Sequence, residues 1–297
     1  EYLPSSGRLF GKLSGKALSA DIRSREGLLF FRELIEKYPP TPPKVEINPK
    51  KDVAALPYTG GTTGSPKGAM LTHYNIVALQ EQIRRYWPEV EDGKEISVMV
   101  LPFYHIYGQS VIMISGAIRG GTGIIFPRPE LDAILDAIPK YGVTLFYGVP
   151  TLYKYFVDTP KTKRINWKKV KYLYCGADTL HRETRDNWMR VTEKEIYEGY
   201  GMTETTAVSH TNPAGKNKPG SLGVPIPGTH AAVCRMDKIE FLPPGETGEL
   251  VVSGPQIMSG YWNRPEDNKK SFLEAGGRVW FRTGDIVKMD QDGYFYF

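Results

Sequence analysis

The stretch YTGGTTGSPKGAMLTHYN, residues 58–75, gathers the residue types that hold an anion. Gly60, Gly61 and Gly64 let backbone N–H groups converge on one point, Thr59, Thr62, Thr63 and Ser65 add hydroxyl donors, and Lys67 supplies a compact positive charge. Glycine's backbone entropy, and hydroxyls that compete for backbone groups, keep such a run out of helices and central strands, so it is a loop. Its chemistry is the cradling of a phosphate, and the plain alternative is a solvated turn. The spacing is not the P-loop pattern G-x-x-x-x-G-K-[ST], because Pro66 stands where the second glycine belongs and Gly68 follows the lysine. A P-loop NTPase is therefore not implied. Four later runs also collect chemically capable residues: PFYHIYG (102–108), YEGYGMTETT (197–206), GELVVSGPQIMSGYWNRPE (248–266) and RTGD (282–285).

The elements around these runs predict where they lie. Apolar runs at 96–101, 122–126, 143–148, 170–174 and 195–198 alternate with segments of helical texture. That rhythm implies right-handed crossovers and a parallel sheet covered by helices on both faces. Ligands of such sheets gather beyond the carboxyl ends of the strands, which here read FYHIYG, GVPT, CGADT and GYGMTE. A strand near 53–58 and a helix from about Tyr74 to Trp87 flank the glycine loop. LLFFRELIEKY has helical spacing, and KYPPTPPKVEINP is a connector whose prolines cannot support regular hydrogen bonding. Beyond residue 212, short strands alternate with Gly, Pro and Asp turns and helical periodicity fades, which predicts an antiparallel, barrel-like subdomain. The expected fold is α/β, with divisions at 1–95, 96–212 and 213–297.

Composition narrows the class. The chain has 297 residues, 40% hydrophobic and 24% charged, and a net charge of +5, which suits an anionic substrate. With no basic run or interleaved aromatics, nucleic acid is not an expected partner. Cys175 and Cys234 have neither C-x-x-C spacing nor a histidine cluster, so a zinc site or disulfide framework is not expected, and a reducing, cytoplasmic setting is. Ile96–Ile118 carries no Asp, Glu, Lys or Arg and is long enough to span a bilayer. Pro102, His105, Gly108, Gln109 and Gly116 interrupt it, and it reads as a buried strand followed by a buried helix. No transmembrane span is expected, while a peripheral membrane contact stays open.

The five motifs, in this order and rough spacing, resemble those of the adenylate-forming superfamily: acyl-CoA synthetases, luciferase-like enzymes and the adenylation domains of peptide synthetases. The resemblance runs from about residue 45 to the end and is greatest to fatty-acyl-CoA ligases. It implies ATP-dependent activation of a carboxylic acid to acyl-AMP with loss of pyrophosphate, then transfer of the acyl group to CoA, with ATP, Mg²⁺ and CoA required. By the same resemblance, Thr59, Gly60, Gly61, Thr62, Thr63, Gly64 and Lys67 hold the β- and γ-phosphates. Gly148, Cys175, Gly176 and Ala177 border the acyl tunnel and the adenine edge. In EGYGMTE, Glu198, Gly199, Tyr200 and Gly201 face the nucleotide, Tyr200 offering a flat surface to adenine. Thr203 donates to the α-phosphate and Glu204 is the hard oxygen ligand for Mg²⁺. Asp285 accepts from the ribose hydroxyls, although TGD is also ordinary hairpin chemistry. His105 lines the acyl pocket near the reacting carboxylate, and Trp262 and the His73–Asn75 pair are packing and capping residues. The resemblance also implies a fragment: the start of the large domain and a mobile C-terminal domain with the second-step lysine fall outside this sequence. Nucleotide binding should then survive better than turnover. Aryl-acid ligases, amino-acid adenylating domains and luciferase-like oxygenases share these motifs and remain open, as does a nucleotide-binding module without turnover.

Overall fold

The computed structural model describes residues 29–60 and 65–297. The chain divides into two units, Glu1–Ile47 and Asn48–Phe297. The described part of the first holds the helix Phe31–Lys37, where the spacing of LLFFRELIEKY placed one.

In the second unit, β1 (Val53–Ala55), β2 (Tyr58–Thr59), β3 (Lys67–Gly68) and β4 (Leu71–Thr72) form two small antiparallel sheets, β1 with β4 and β2 with β3. Thr59 stands opposite Lys67, so β2 and β3 pair as a hairpin on either side of the glycine run. A helix, His73–Tyr86, follows at once. Its start is a reciprocal cap: Thr72 Oγ1 accepts from the Asn75 N–H, and Asn75 Oδ1 accepts from the Thr72 N–H at 2.9 Å. Asn75 is thus the capping residue expected. Trp262 instead is half exposed, and it serves through its backbone N–H, which donates to Gly68 O at 2.8 Å.

The central sheet has seven strands. Five are parallel: β5 (Ile96–Met99), β6 (Thr122–Ile125), β7 (Leu145–Gly148), β8 (Tyr172–Cys175) and β9 (Tyr197–Tyr200). β10 (His210–Thr211) and β11 (Val224–Pro225) add on antiparallel, giving the order β11-β10-β9-β8-β7-β5-β6. Strand alternation assigns the two faces. Val98, Phe146 and Leu173 pack with Ile134, Leu135, Phe156 and Trp188, which come from the helices Leu131–Tyr141, Pro150–Asp158 and Arg182–Thr192. On the opposite face, Leu145, Tyr147, Tyr172, Tyr174 and Tyr197 pack with Leu79, Ile83 and Trp87 and with Val111 and Ile112. Full burial of each large side chain contributes about 1.5–3 kcal/mol, so these layers fix the strand ends firmly.

The uncharged run 96–118 becomes β5, a loop, a π-helix at Tyr107–Ile114 and an α-helical turn at Ser115–Ile118. The sequence periodicity predicts only a helix; the wider π turn appears where a cavity wall passes, as π turns often do at sites. Among the described residues no helix is long and apolar enough to cross a membrane.

The last strands, β12 (His230–Cys234), β13 (Thr247–Ser253), β14 (Phe272–Ala275), β15 (Arg278–Met289) and β16 (Phe295–Tyr296), form one antiparallel sheet, with β15 bonded to β13, β14 and β16 along its length. This is the antiparallel part expected beyond 212, although β11 of the central sheet lies within that stretch too. A helix, Pro265–Ser271, interrupts it where helical periodicity is weak. Its proline at the first position, Glu266 and Asp267 in the first turn and Lys269 and Lys270 in the last are end signals rather than an apolar stripe.

Candidate functional site

Beyond the carboxyl ends of β8 and β9 lies a cavity of about 610 Å³, where open parallel sheets place their ligands. One rim comes from the glycine hairpin, through Thr59, Gly60 and Lys67. Gly199, Tyr200, Gly201, Met202, Thr203 and Glu204 line the same cavity, as do Gly176 and Ala177. Thr59, Gly60 and Lys67 thus open into the same cavity as residues 199–204. Gly61, Thr62, Thr63 and Gly64 lie outside the described residues.

The backbone explains why these residue types sit here. After β9 the chain makes a tight 3₁₀ turn, Thr203–Thr205, and Thr206 and Ala207 follow with φ of 55° and 107°. That return brings the Ala207 carbonyl so close that a Cβ on Gly201 would lie 1.8 Å from its oxygen. Only glycine fits. At the end of β8, Ala177 takes a left-handed φ of 72°, a strained choice for alanine that turns the backbone along the cavity.

The polar end is wired across the hairpin and the late sheet. Glu204 is buried, and its Oε1 accepts from the Tyr261 hydroxyl at 2.6 Å. Burial and that bond push the Tyr261 phenol well above its ordinary range. Lys67 Nζ lies 5.1 Å over the Tyr261 ring and 2.7 Å from Asp267 Oδ1. Tyr200 donates to Asp285 Oδ2 at 2.5 Å, and burial and then the Asp285 charge raise its phenol likewise. Asp285 itself does not line the cavity, though Thr283 does. RTGD is no hairpin tip: it lies within β15, beside the β13 irregularity between Glu249 and Val251, and bulges next to sites re-aim side chains in this way.

Glu198 is not part of the lining. Strand alternation turns its carboxylate to the other side, where it accepts from the Gly220 N–H at 2.9 Å and stands 3.6 Å from Arg185; burial raises its carboxyl above the usual range. Gly148 is likewise outside the lining, since a Cβ there would meet the Tyr153 ring at 2.7 Å. Its neighbour Tyr147 faces the cavity instead.

The other end of the cavity is apolar and aromatic. Ile83, Trp87, Val111, Tyr107, Tyr147, Tyr174 and Tyr197 line it, with His105 and Ile106 at its edge. His105 is exposed, and its Nδ1 accepts from the Tyr107 N–H at 3.2 Å. Tyr147 and Tyr174 stack at 5.2 Å, and Trp87 meets Tyr174 edge-on at 4.8 Å. Burial pushes the Cys175 thiol far up, away from the thiolate form that a nucleophile needs. Tyr261, Asp267 and Thr283 are absent from the sequence expectations. Tyr261 lies inside the GYWNRPE motif, but nothing in its spacing points at Glu204. Tyr147 and Tyr174 had a signal, as alternate residues of predicted strands ending at the ligand side.

The profile of the AMP-binding enzyme family matches residues 12–262. The chain belongs to that family. It is 40% identical over 252 residues to a long-chain-fatty-acid–CoA ligase of Bacillus subtilis, covering 84% of this chain and 44% of that protein. A probable 4-coumarate–CoA ligase of Dictyostelium discoideum is 32% identical over 280 residues, 92% of this chain and 50% of the other. The ATP-bound crystal structure of MatB from Rhodopseudomonas palustris superimposes with a TM-score of 0.77 at 33% identity, covering 83% of this chain and 48% of that one. This AMP-binding family chain thus spans about half the length of the curated relatives it matches.

Proposed function

We propose that this chain is the nucleotide- and acid-binding part of a fatty acid:CoA ligase. A carboxylate oxygen attacks the α-phosphorus of ATP, the bond to the β-phosphate oxygen breaks, pyrophosphate leaves, and the acyl-AMP then passes its acyl group to the thiol of CoA. The observation that carries this is one cavity lined by Thr59, Lys67, Thr203 and Glu204 together with aromatic and aliphatic side chains. Two anions brought together need donors and a cation around them, with water excluded on the acyl side.

The chain's own residues divide the work. Lys67 and the hairpin loop bind the β- and γ-phosphates, and Thr203 orients the α-phosphate. Tyr200, with Gly176, Ala177, Gly199 and Gly201 alongside, receives the adenine, and Asp285, reached through Tyr200, is set for the ribose. His105 sits at the mouth of the acyl tunnel. Among the described residues no three His, Cys, Asp or Glu side chains are grouped for a metal. Glu204 alone therefore fits Mg²⁺, which commonly takes one or two carboxylates and completes its shell with substrate phosphates and water. When bound, Mg²⁺ neutralises phosphate charge in the transition state.

The Bacillus relative supports an alkyl acid. The row of Trp87, Tyr107, Tyr147, Tyr174 and Tyr197 along the tunnel, together with the Dictyostelium relative, favours an aryl acid as the second reading. Calorimetric titration with non-hydrolysable acyl-AMP analogues of alkyl and aryl acids, alongside acid-dependent ATP–pyrophosphate exchange, separates the two. Tighter binding of alkyl analogues is expected. Binding of neither analogue nor of MgATP overturns the proposal.

A further inference from the structure

The lysine of the glycine hairpin is held by a helix far away in sequence. Lys67 Nζ is 2.7 Å from Asp267 Oδ1, with side chains 32% and 30% exposed, and the two residues are 200 positions apart. The same segment holds the hairpin a second time, since Arg264 Nη2 donates to Ser65 Oγ at 2.6 Å. Arg264 caps the helix Pro265–Ser271 and Asp267 lies in its first turn, so one short element grips the loop on its lysine side at two points. The bond from Lys67, and then its charge, hold the Asp267 carboxyl below the usual carboxylate range. The cation that would meet the phosphates thus already has an anion.

An ammonium is a point charge with three donors and no fixed fork, so it changes partners readily. A carboxylate beside it competes with any incoming phosphate, through occupancy of the ammonium and through like-charge repulsion. We propose that Asp267 is a positioning residue that parks Lys67 and competes for it with the β- and γ-phosphates, lowering the affinity for ATP and pyrophosphate relative to AMP. This rests on reading the glycine loop as the phosphate cradle. When pyrophosphate is formed, recapture of Lys67 by Asp267 favours its release. The Arg264–Ser65 bond keeps the hairpin in place while the lysine changes partner. Exposed ion pairs are weak, which suits a contact that must break in each cycle.

The test is calorimetric titration of this chain with ATP, pyrophosphate and AMP, each with Mg²⁺, for the parent, Asp267→Asn, Asp267→Glu and Asp267→Asn in a Lys67→Ala background. Asp267→Asn should bind ATP and pyrophosphate ~two- to fivefold more tightly while AMP stays as in the parent. Asp267→Glu should restore the parent affinities, and the gain should vanish without Lys67. A merely structural aspartate would move all three ligands together, or none. Unchanged or weaker ATP binding in Asp267→Asn, or an equal shift for AMP, overturns the proposal. If neither ATP nor AMP binds the parent while pyrophosphate still tightens in Asp267→Asn, the competition for Lys67 stands and the nucleotide reading falls.

Discussion

Tyr261→Phe tests the wiring of the candidate metal carboxylate most directly. The substitution keeps the ring under Lys67 and removes only the hydroxyl, which donates to Glu204 Oε1 at 2.6 Å between two buried residues. A hydrogen bond to a charged group contributes ~1.5–3 kcal/mol to stability, and the short distance marks this one as charge-assisted. For a unit the size of Asn48–Phe297, each kcal/mol shifts Tm by ~2–4 °C, so the melting point should fall by ~3–12 °C. Scanning calorimetry of the chain without nucleotide reads this. A second measurement addresses function: at fixed ATP, a magnesium series should show binding that needs ~tenfold more Mg²⁺, the equivalent of one lost ~1.4 kcal/mol orienting contact. A melting point within 1 °C of the parent's would mean, on the ~2–4 °C per kcal/mol scale, that the bond is worth almost nothing. An unchanged magnesium dependence would show that Tyr261 does not orient the carboxylate that meets the metal.

Gly201→Ala should destabilise the fold by ~1–3 kcal/mol or more, because its Cβ would sit 1.8 Å from Ala207 O; a parent-like melt with parent-like ATP binding refutes the tight return. Asp285→Ala should weaken ATP and AMP alike, by ~tenfold for one lost acceptor, and leave pyrophosphate unaffected, which direct titration checks. His210 is wholly buried with Ser209 Oγ at 2.9 Å from Nδ1 and, among the described residues, no partner on Nε2, and burial pushes its pKa down to about 3. Since the unfolded chain takes up that proton near its ordinary pKa of ~6.5 and the folded chain does not, stability is full above that value and is lost as pH falls, by up to ~1.4 kcal/mol per unit. Urea unfolding between pH 6.5 and 5 should show this slope, and His210→Gln should flatten it; equal slopes would remove the assignment.

Much of the architecture is legible in short-range pattern. Each apolar run between 96 and 198 is a strand of the parallel sheet, because run length is a local property, and at β7 and β8 two-sided burial enforces it. The reciprocal cap at Thr72 and Asn75 is legible for the same reason, since its partners are three residues apart. The helix Pro265–Ser271 is not: it buries no residue, so no apolar stripe marks it, and only its charged ends betray it. Glu198 shows the limit within a motif. EGYGMTE names six candidates, but a strand turns neighbours to opposite faces, and Glu198 goes to Gly220 and Arg185 while Tyr197 and Gly199 on either side of it meet the cavity.

The sequence by itself determined which groups are candidates for phosphate, adenine and metal, and that the glycine stretch after Tyr58 and the strand ends up to Tyr200 carry them, because loop composition and strand period are written in neighbouring letters. Tertiary structure alone decided who holds those groups. Tyr261 reaches Glu204, Asp267 reaches Lys67 and Asp285 reaches Tyr200 across separations of 57, 200 and 85 residues. Such pairs form only when separately folded sheets pack, and a chain with no local spacing between partners carries no pattern that announces them.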